Sequence, residues 1–222
     1  MRQRYLEQLA LLHGEMVEMG GLCEEAISLA IQALTKNERE LIDKVFDVDA
    51  QIDRKERSIE ALCLKLLLQQ QPVATDLREI SSALKMISDM ERIGDQASDI
   101  AEITRSIPAR ADASGTGIRK MAEEAIKMVT DSVDSFVKRD LSLARSVIAY
   151  DDVVDDWFDR VKTRLIERIS ADNTQSESCV DLLMVAKYLE RIGDHATNIA
   201  EWVEFSITGA RSKDGVFPAP EE

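Results

Sequence analysis

Two runs of acidic residues set the chemistry that this chain can do. Glu91-Arg-Ile-Gly-Asp95-Gln-Ala-Ser-Asp99-Ile-Ala-Glu102 returns 99 residues later as Glu190-Arg-Ile-Gly-Asp194-His-Ala-Thr-Asn198-Ile-Ala-Glu201, with nine of twelve positions identical. A weaker echo joins Asp49-Ala-Gln-Ile-Asp53 to Asp151-Asp-Val-Val-Asp155. At about 100° per residue, Glu91, Asp95, Asp99 and Glu102 fall within roughly 80° of one another, a single stripe of carboxylates beside the apolar positions Ala83, Leu84, Ile87 and Gly94. Asp49, Asp53, Glu56 and Glu60 run in the same way beside Val45, Ile52, Ile59 and Cys63. Carboxylates crowded at low dielectric must share protons, pair with arginine or bind cations. Oxygen donors alone suit hard or borderline cations such as Mg²⁺, Mn²⁺, Ca²⁺ or iron, and more than one ion per cluster is consistent with the charge. The plainer alternative is a solvated face on which Arg92 and Arg191 neutralise acids three residues away.

The elements that carry these acids must be long helices. Leu41, Val45, Val48, Ile52, Ile59 and Cys63, and then Ile80, Ala83, Leu84, Ile87 and Met90, recur at three- and four-residue intervals. Breakers at Thr35-Lys36-Asn37, Gln71-Pro72, Pro108 to Gly117, Arg139-Asp140 and Ala171-Asp172-Asn173-Thr174 divide the chain into six segments. The repeat makes each half a three-helix unit, with a first domain at 1–108, a second at 113–209, and a tail at 210–222 expected to be poorly ordered. If the second and third helices of each half are antiparallel neighbours, Asp53 lies level with Glu91 and Asp49 with Asp95. In the second half Asp155 lies level with Glu190 and Asp151 with Asp194. Gly94 and Gly193 sit inside this pattern, where a glycine costs about 1 kcal/mol relative to alanine, so a close approach or a packing notch is expected at each. Glu56, Glu60 and Asp99 correspond to Phe158, Lys162 and Asn198, so the second cluster should hold cations more weakly.

Composition narrows the function. The 222 residues carry 28 Lys+Arg against 42 Asp+Glu, a net charge of −14, and such a surface repels nucleic acid and anionic lipid unless a basic patch is concentrated somewhere. The densest basic cluster, Arg54, Lys55 and Arg57, is interleaved with Asp53 and Glu56 and reads as a salt-bridged helix face. No apolar run reaches the roughly 20 residues of a membrane span, and the start lacks a signal peptide, so a cytoplasmic protein is expected. Cys23, Cys63 and Cys179 read as reduced core thiols, and Met16, Met19, Met86 and Met90 as core filler. His13 and His195 are poor ligand candidates and read as surface or packing residues. Ile93, Ile100, Ile192 and Ile199 form a second apolar face that either joins the halves or makes a dimer contact. There is no phosphate-binding glycine loop, nucleophile elbow, Glu-x-x-His pair or Cys-His pair, which favours a non-enzyme.

At the repeated Glu-Arg-Ile-Gly-Asp motif the chain resembles the PhoU family of phosphate-uptake regulators. The resemblance extends through Leu9 to Ala33 with Met19-Gly20-Gly21-Leu22, the turn Gln70-Gln71-Pro72-Val73-Ala74-Thr75-Asp76-Leu77-Arg78, and the ending Trp202 to Gly209. It implies an all-α fold of two tandem pseudo-symmetric three-helix bundles, frequent homodimers, and multinuclear metal clusters of iron, zinc, magnesium or manganese. It also implies repression of the phosphate-starvation response by coupling the phosphate importer, through its ATPase subunit, to a sensor histidine kinase, with at most peripheral membrane association. On this likeness Asp49, Asp53, Glu91, Asp95 and Asp99 form a first metal cluster, and Asp151, Asp155, Glu190, Asp194 and Asn198 a second. The competing expectation is a carboxylate-bridged metalloenzyme or metal store, which requires an open coordination position.

Overall fold

The computed structural model describes residues 2–70, 72–107, 113 and 115–210. Six long helices follow one another: α1 (Arg2–Lys36), α2 (Glu40–Gln70), α3 (Thr75–Ser106), α4 (Ile118–Lys138), α5 (Leu141–Ala171) and α6 (Ser176–Thr208). The expected tail beyond 210 and most of the joining segment after Ile107 lie outside the described residues. The helix ends follow the breakers. Asn37 takes a left-handed φ of 56° after α1, and Arg139 takes 51° after α4, so the chain reverses within a few residues. Asp140 then caps α5 by accepting from the Leu143 amide at 3.0 Å, satisfying one of the donors that a helix start leaves open. Asp172 plays a similar part at the next reversal, accepting from the Thr174 amide at 3.0 Å before the 3₁₀ turn Asn173–Gln175.

Each half is a three-helix bundle, α1 to α3 and α4 to α6, and within each half every helix packs on the other two. The predicted apolar seams fill them. Val45, Ile52, Ile59 and Cys63 of α2 and Ile80, Ala83 and Ile87 of α3 are buried, as are Met16, Met19, Met86 and Met90. At about 1.5–3 kcal/mol for each large side chain withdrawn from water, this seam is the main force holding α2 and α3 at one level.

The halves join through α3 against α6 and α1 against α4. Ile93, Ile100, Ile192 and Ile199 are all fully buried, so the second apolar face predicted from the repeat serves the joint inside one chain. Polar links reinforce it. His195 Nδ1 on α6 lies 2.9 Å from Asp89 Oδ1 on α3. Arg139, just after α4, donates across the joint to Glu79 on α3, whose other oxygen lies 2.8 Å from His13 Nε2 on α1 within the first half. Both histidines therefore do packing work, but each does so with a buried carboxylate that the pattern of acidic stripes did not reveal. The three cysteines are free and buried, and burial pushes the thiols of Cys23 and Cys63 up, the latter to about 12. That keeps both protonated at neutral pH.

Candidate functional site

Antiparallel packing of α2 and α3 carries the first set of acids onto one side of the hairpin. Asp49, Asp53 and Glu56 come from α2, and Glu91, Asp95 and Asp99 from α3, and each raised carboxyl feels others of the set. Burial first, and then the charges of Asp95, Asp53 and Asp99, push Asp49 above the usual carboxylate range, with Ser98 opposing. Glu91 is raised by burial and by Asp95, Glu56 and Asp53, while Asp95 is raised by burial and by Asp53. Glu56 is raised by burial, Glu60 and Asp53, and accepts a 3.5 Å bond from the Ser88 hydroxyl. Glu56 lies on the stripe that periodicity marks but outside the first cluster that the family likeness implies; the α2–α3 packing brings it beside that cluster.

Two local features mark this level. Asp49 Oδ1 is buried with no hydrogen-bond partner, which is an expensive state for a charged acceptor. Gly94 explains how it fits: a Cβ there would stand 2.6 Å from Asp49 Oδ1 and 2.9 Å from Ile52 Cδ1. The glycine thus makes room for the carboxylate and the isoleucine beneath it.

The second half repeats the plan with different contents. Asp155 is raised by burial, Asp151, Glu190 and Asp152, and Asp194 by burial, Glu190 and Asp155. An ammonium is already present. Lys187 pairs with Glu190, and its charge opposes the shifts of both Asp155 and Asp194. Asp151 accepts from the Thr197 hydroxyl at 3.1 Å. A Cβ on Gly193 would meet nothing closer than Val154 at 3.4 Å, an ordinary contact.

The two outermost residues of the predicted sets turn toward the joint. Asp99 accepts from the Tyr188 hydroxyl on α6 and feels Arg191. Asn198 Nδ2 lies 3.4 Å from Asp89 Oδ1 on α3. These contacts are mirror images under the repeat, since Asp89 and Tyr188 are equivalent positions, as are Asp99 and Asn198. Asp99 also reaches its own cluster, where it raises Asp49, whereas Asn198 is bonded across the α3–α6 contact. Arg92 stands 3.9 Å from Asp89, an acid three residues away that lies outside the predicted stripes, and it offsets Glu91 only weakly.

Among the described residues no three His, Cys, Asp or Glu side chains stand in ligating geometry for one ion. In the first half the donor chemistry still suits a hard cation: the candidate ligands are all carboxylate oxygens that repel one another, and Asp49 Oδ1 is buried without a hydrogen bond of its own. The nearby positive charges among the described residues are guanidiniums at the rim, Arg57 at 3.7 Å from Asp53 with Arg92 and Arg191 offsetting Glu91 and Asp99. In the second half Lys187 makes the fit poorer.

The comparisons with known proteins match both halves of the chain. The PhoU domain family matches residues 16–104 and again residues 118–203. A phosphate-specific transport system accessory protein PhoU homolog from Clostridium acetobutylicum is 34% identical over 210 residues, covering 94% of this chain and 96% of its own length. Its Synechocystis counterpart is 36% identical over 215 residues, 93% of each chain. The crystal structure of PhoU from Pseudomonas aeruginosa superposes with a TM-score of 0.86 at 33% identity, covering 93% of this chain and all of that one. The PhoU phosphate transport system regulatory protein of Streptococcus pneumoniae gives 0.85 at 25% identity, covering 93% of this chain and 98% of its own.

Proposed function

The chain belongs to the PhoU family, and from that premise we propose that it is a non-enzymatic accessory protein of a phosphate importer that holds the phosphate-starvation response off while phosphate is plentiful. In this reading it couples the importer's ATPase subunit to a sensor histidine kinase, acting at the cytoplasmic face of the membrane, as a homodimer, without entering the bilayer. The match of both halves to the family, over nearly the whole chain and its relatives, is the observation that carries it. Relatives of this length are named as accessory proteins of the phosphate-specific transport system. No helix among the described residues is long and apolar enough to cross a membrane, which is consistent with a partner of membrane proteins that does not span the bilayer itself.

The acidic clusters belong to the same proposal. Asp49, Asp53, Glu91 and Asp95, with Asp99 and Glu56 at the edges, would hold a divalent or iron-type cation in the first half. Asp151, Asp155, Glu190 and Asp194 form the corresponding but weaker set. A bound cation would supply the positive charge that lets these carboxylates stay ionised together, and would tie α2 to α3. The chain's own part is to present the oxygens, to keep one of them away from water beneath Gly94, and to hold the hairpin level through the apolar seam.

The test is genetic and direct. Phosphate-replete cells lacking the protein should express starvation-induced genes constitutively, and re-expression should silence them. Normal repression in the deletion strain would remove the regulatory reading. Co-purification of the importer's ATPase subunit and the kinase with the intact chain should accompany repression; capture of neither would leave no basis for coupling.

A further inference from the structure

Position 88 on α3 and position 187 on α6 are equivalent in the repeat, each standing three residues before the motif glutamate, and they differ in kind. Ser88 offers a neutral hydroxyl to Glu56. Lys187 offers an ammonium that pairs with Glu190 and stands 5.6 Å over the ring of Phe158, the residue that replaces Glu56. Two attractions therefore hold this charge toward the carboxylates: the i,i+3 spacing to Glu190 and the aromatic face. Lys162 stands at the same 5.6 Å from that ring, but its ammonium is paired with Asp159, 2.5 Å away and outside the predicted carboxylate set, so only Lys187 joins the ring to a motif carboxylate.

A lysine ammonium is a compact positive charge with three donors, the closest a side chain comes to a cation for oxygen ligands. Being tethered, it reaches the cluster at a high effective concentration. We propose that Lys187 is the built-in counter-cation of the second half, standing where a free cation would otherwise bind, and that ion loading is therefore confined to the first half. The proposal rests on the reading that the first-half carboxylates hold a cation, and it goes beyond that reading by assigning the second half a different occupant. Its charge effects agree, because Lys187 opposes the upward shifts of Asp155 and Asp194. Nearly half of the Lys187 side chain is exposed, and an exposed pair contributes little to stability. Its removal should therefore change ion binding far more than folding, which separates occupancy from a merely structural role.

Calorimetric titration of the full chain with Mn²⁺ tests this, with elemental analysis of the washed protein and circular dichroism to confirm folding. Wild-type binding should vanish in Asp49→Ala/Asp95→Ala. Lys187→Ser should add a second class of binding that survives in the triple variant, while shifting the melting temperature without metal hardly at all. The reciprocal Ser88→Lys should weaken wild-type binding by about tenfold or more. If Lys187→Ser fails to fold, Lys187→Gln keeps the aliphatic stem over Phe158 and answers the same question. Two equivalent classes of binding in the wild type, or a Lys187→Ser titration identical to wild type, would overturn the proposal and leave the first-half reading intact. A wild type that binds nothing beside a Lys187→Ser variant that binds Mn²⁺ would remove the first-half reading and keep the role of Lys187. Silence from both would end both.

Discussion

Gly94 and Gly193 hold the same place in the repeated motif, on α3 and α6, and the space around them differs. An added Cβ on Gly94 would press into the carboxylate of Asp49 and the side chain of Ile52, while one on Gly193 would meet Val154 at an ordinary distance. The difference runs through the whole level. The first half brings six acids together with a serine among them and one exposed arginine, Arg57, 3.7 Å from Asp53; the second exchanges Glu56 for Phe158, Glu60 for Lys162 and Ser88 for Lys187, and so holds an ammonium against its motif glutamate. Duplication kept the apolar seams that align each hairpin, and the two acidic faces then diverged in charge. The lesson is that a repeated motif conserves a backbone frame more strictly than it conserves a site, because the frame depends on buried volume and the site on a few charges at its edge.

The largest effect that separates the halves should be the response to added cation. Saturating Mn²⁺, at about one hundred times its dissociation constant, should stabilise the wild type by about 2.7 kcal/mol. Asp49→Ala/Asp95→Ala should abolish that gain and Asp151→Ala/Asp194→Ala should leave most of it, as read by thermal melts with and without chelator. Equal losses in both variants would erase the distinction between the halves.

The glycines come next. Gly193→Ala should be neutral or stabilising by up to about 1 kcal/mol, the ordinary gain for a helical glycine. Gly94→Ala should instead cost about 1–2 kcal/mol through crowding of Asp49 and Ile52, and should blunt the cation response because Asp49 has to move. Denaturant unfolding of the two variants side by side measures the difference.

Acidity sharpens the same contrast. Burial, and then neighbouring carboxylates, raise five acids of the first acidic face, Asp49, Glu56, Glu91, Asp95 and Asp99, against two of the second, Asp155 and Asp194, where Lys187 opposes the shift, so the folded chain binds more protons than the unfolded one just above the ordinary carboxylate range of about 4. Metal-free protein should therefore gain stability as pH falls through that window and lose it as pH rises. Glu79 has the opposite sign. Burial alone would raise it, but the bond from His13 and the charge of Arg139 outweigh burial and lower it. Its contribution is present above the ordinary range and is lost as pH falls through its depressed folded value. A melting temperature that peaks at mild acidity is the expected outcome, flattened in Asp49→Asn/Asp95→Asn and moved toward neutrality by Mn²⁺; a profile identical in all three samples would contradict it.

The smallest expected effect lies at the hairpin turns. Ala74 enters α3 with a φ of 47°, whereas the other hairpin reaches α6 through a 3₁₀ turn capped by Asp172. Ala74→Gly should stabilise the protein by about 0.5–1 kcal/mol, and no gain in a denaturant midpoint would show that the turn carries no strain.

The sequence by itself determined a great deal. Apolar spacing fixed six helices and their seams, breakers fixed the reversals, and the duplicated acids fixed the antiparallel levels, because each of these depends on residue type at a short, regular interval. It also marked Glu56, on the acidic stripe and replaced by Phe158 in the second half, whereas Lys187 carries no signal in the sequence that sets it apart. Only the tertiary structure decided which side of a helix meets which neighbour. Asp89 and Glu79, with no acidic counterpart in the repeat, become the partners of His195 and His13 only when α3 lies against α6 and α1. Asp99 and Asn198 divide between a cluster and the joint for the same reason. Long-range pairing follows from how two bundles pack, and a local period of three or four residues holds no information about the helix that arrives from the other half of the chain.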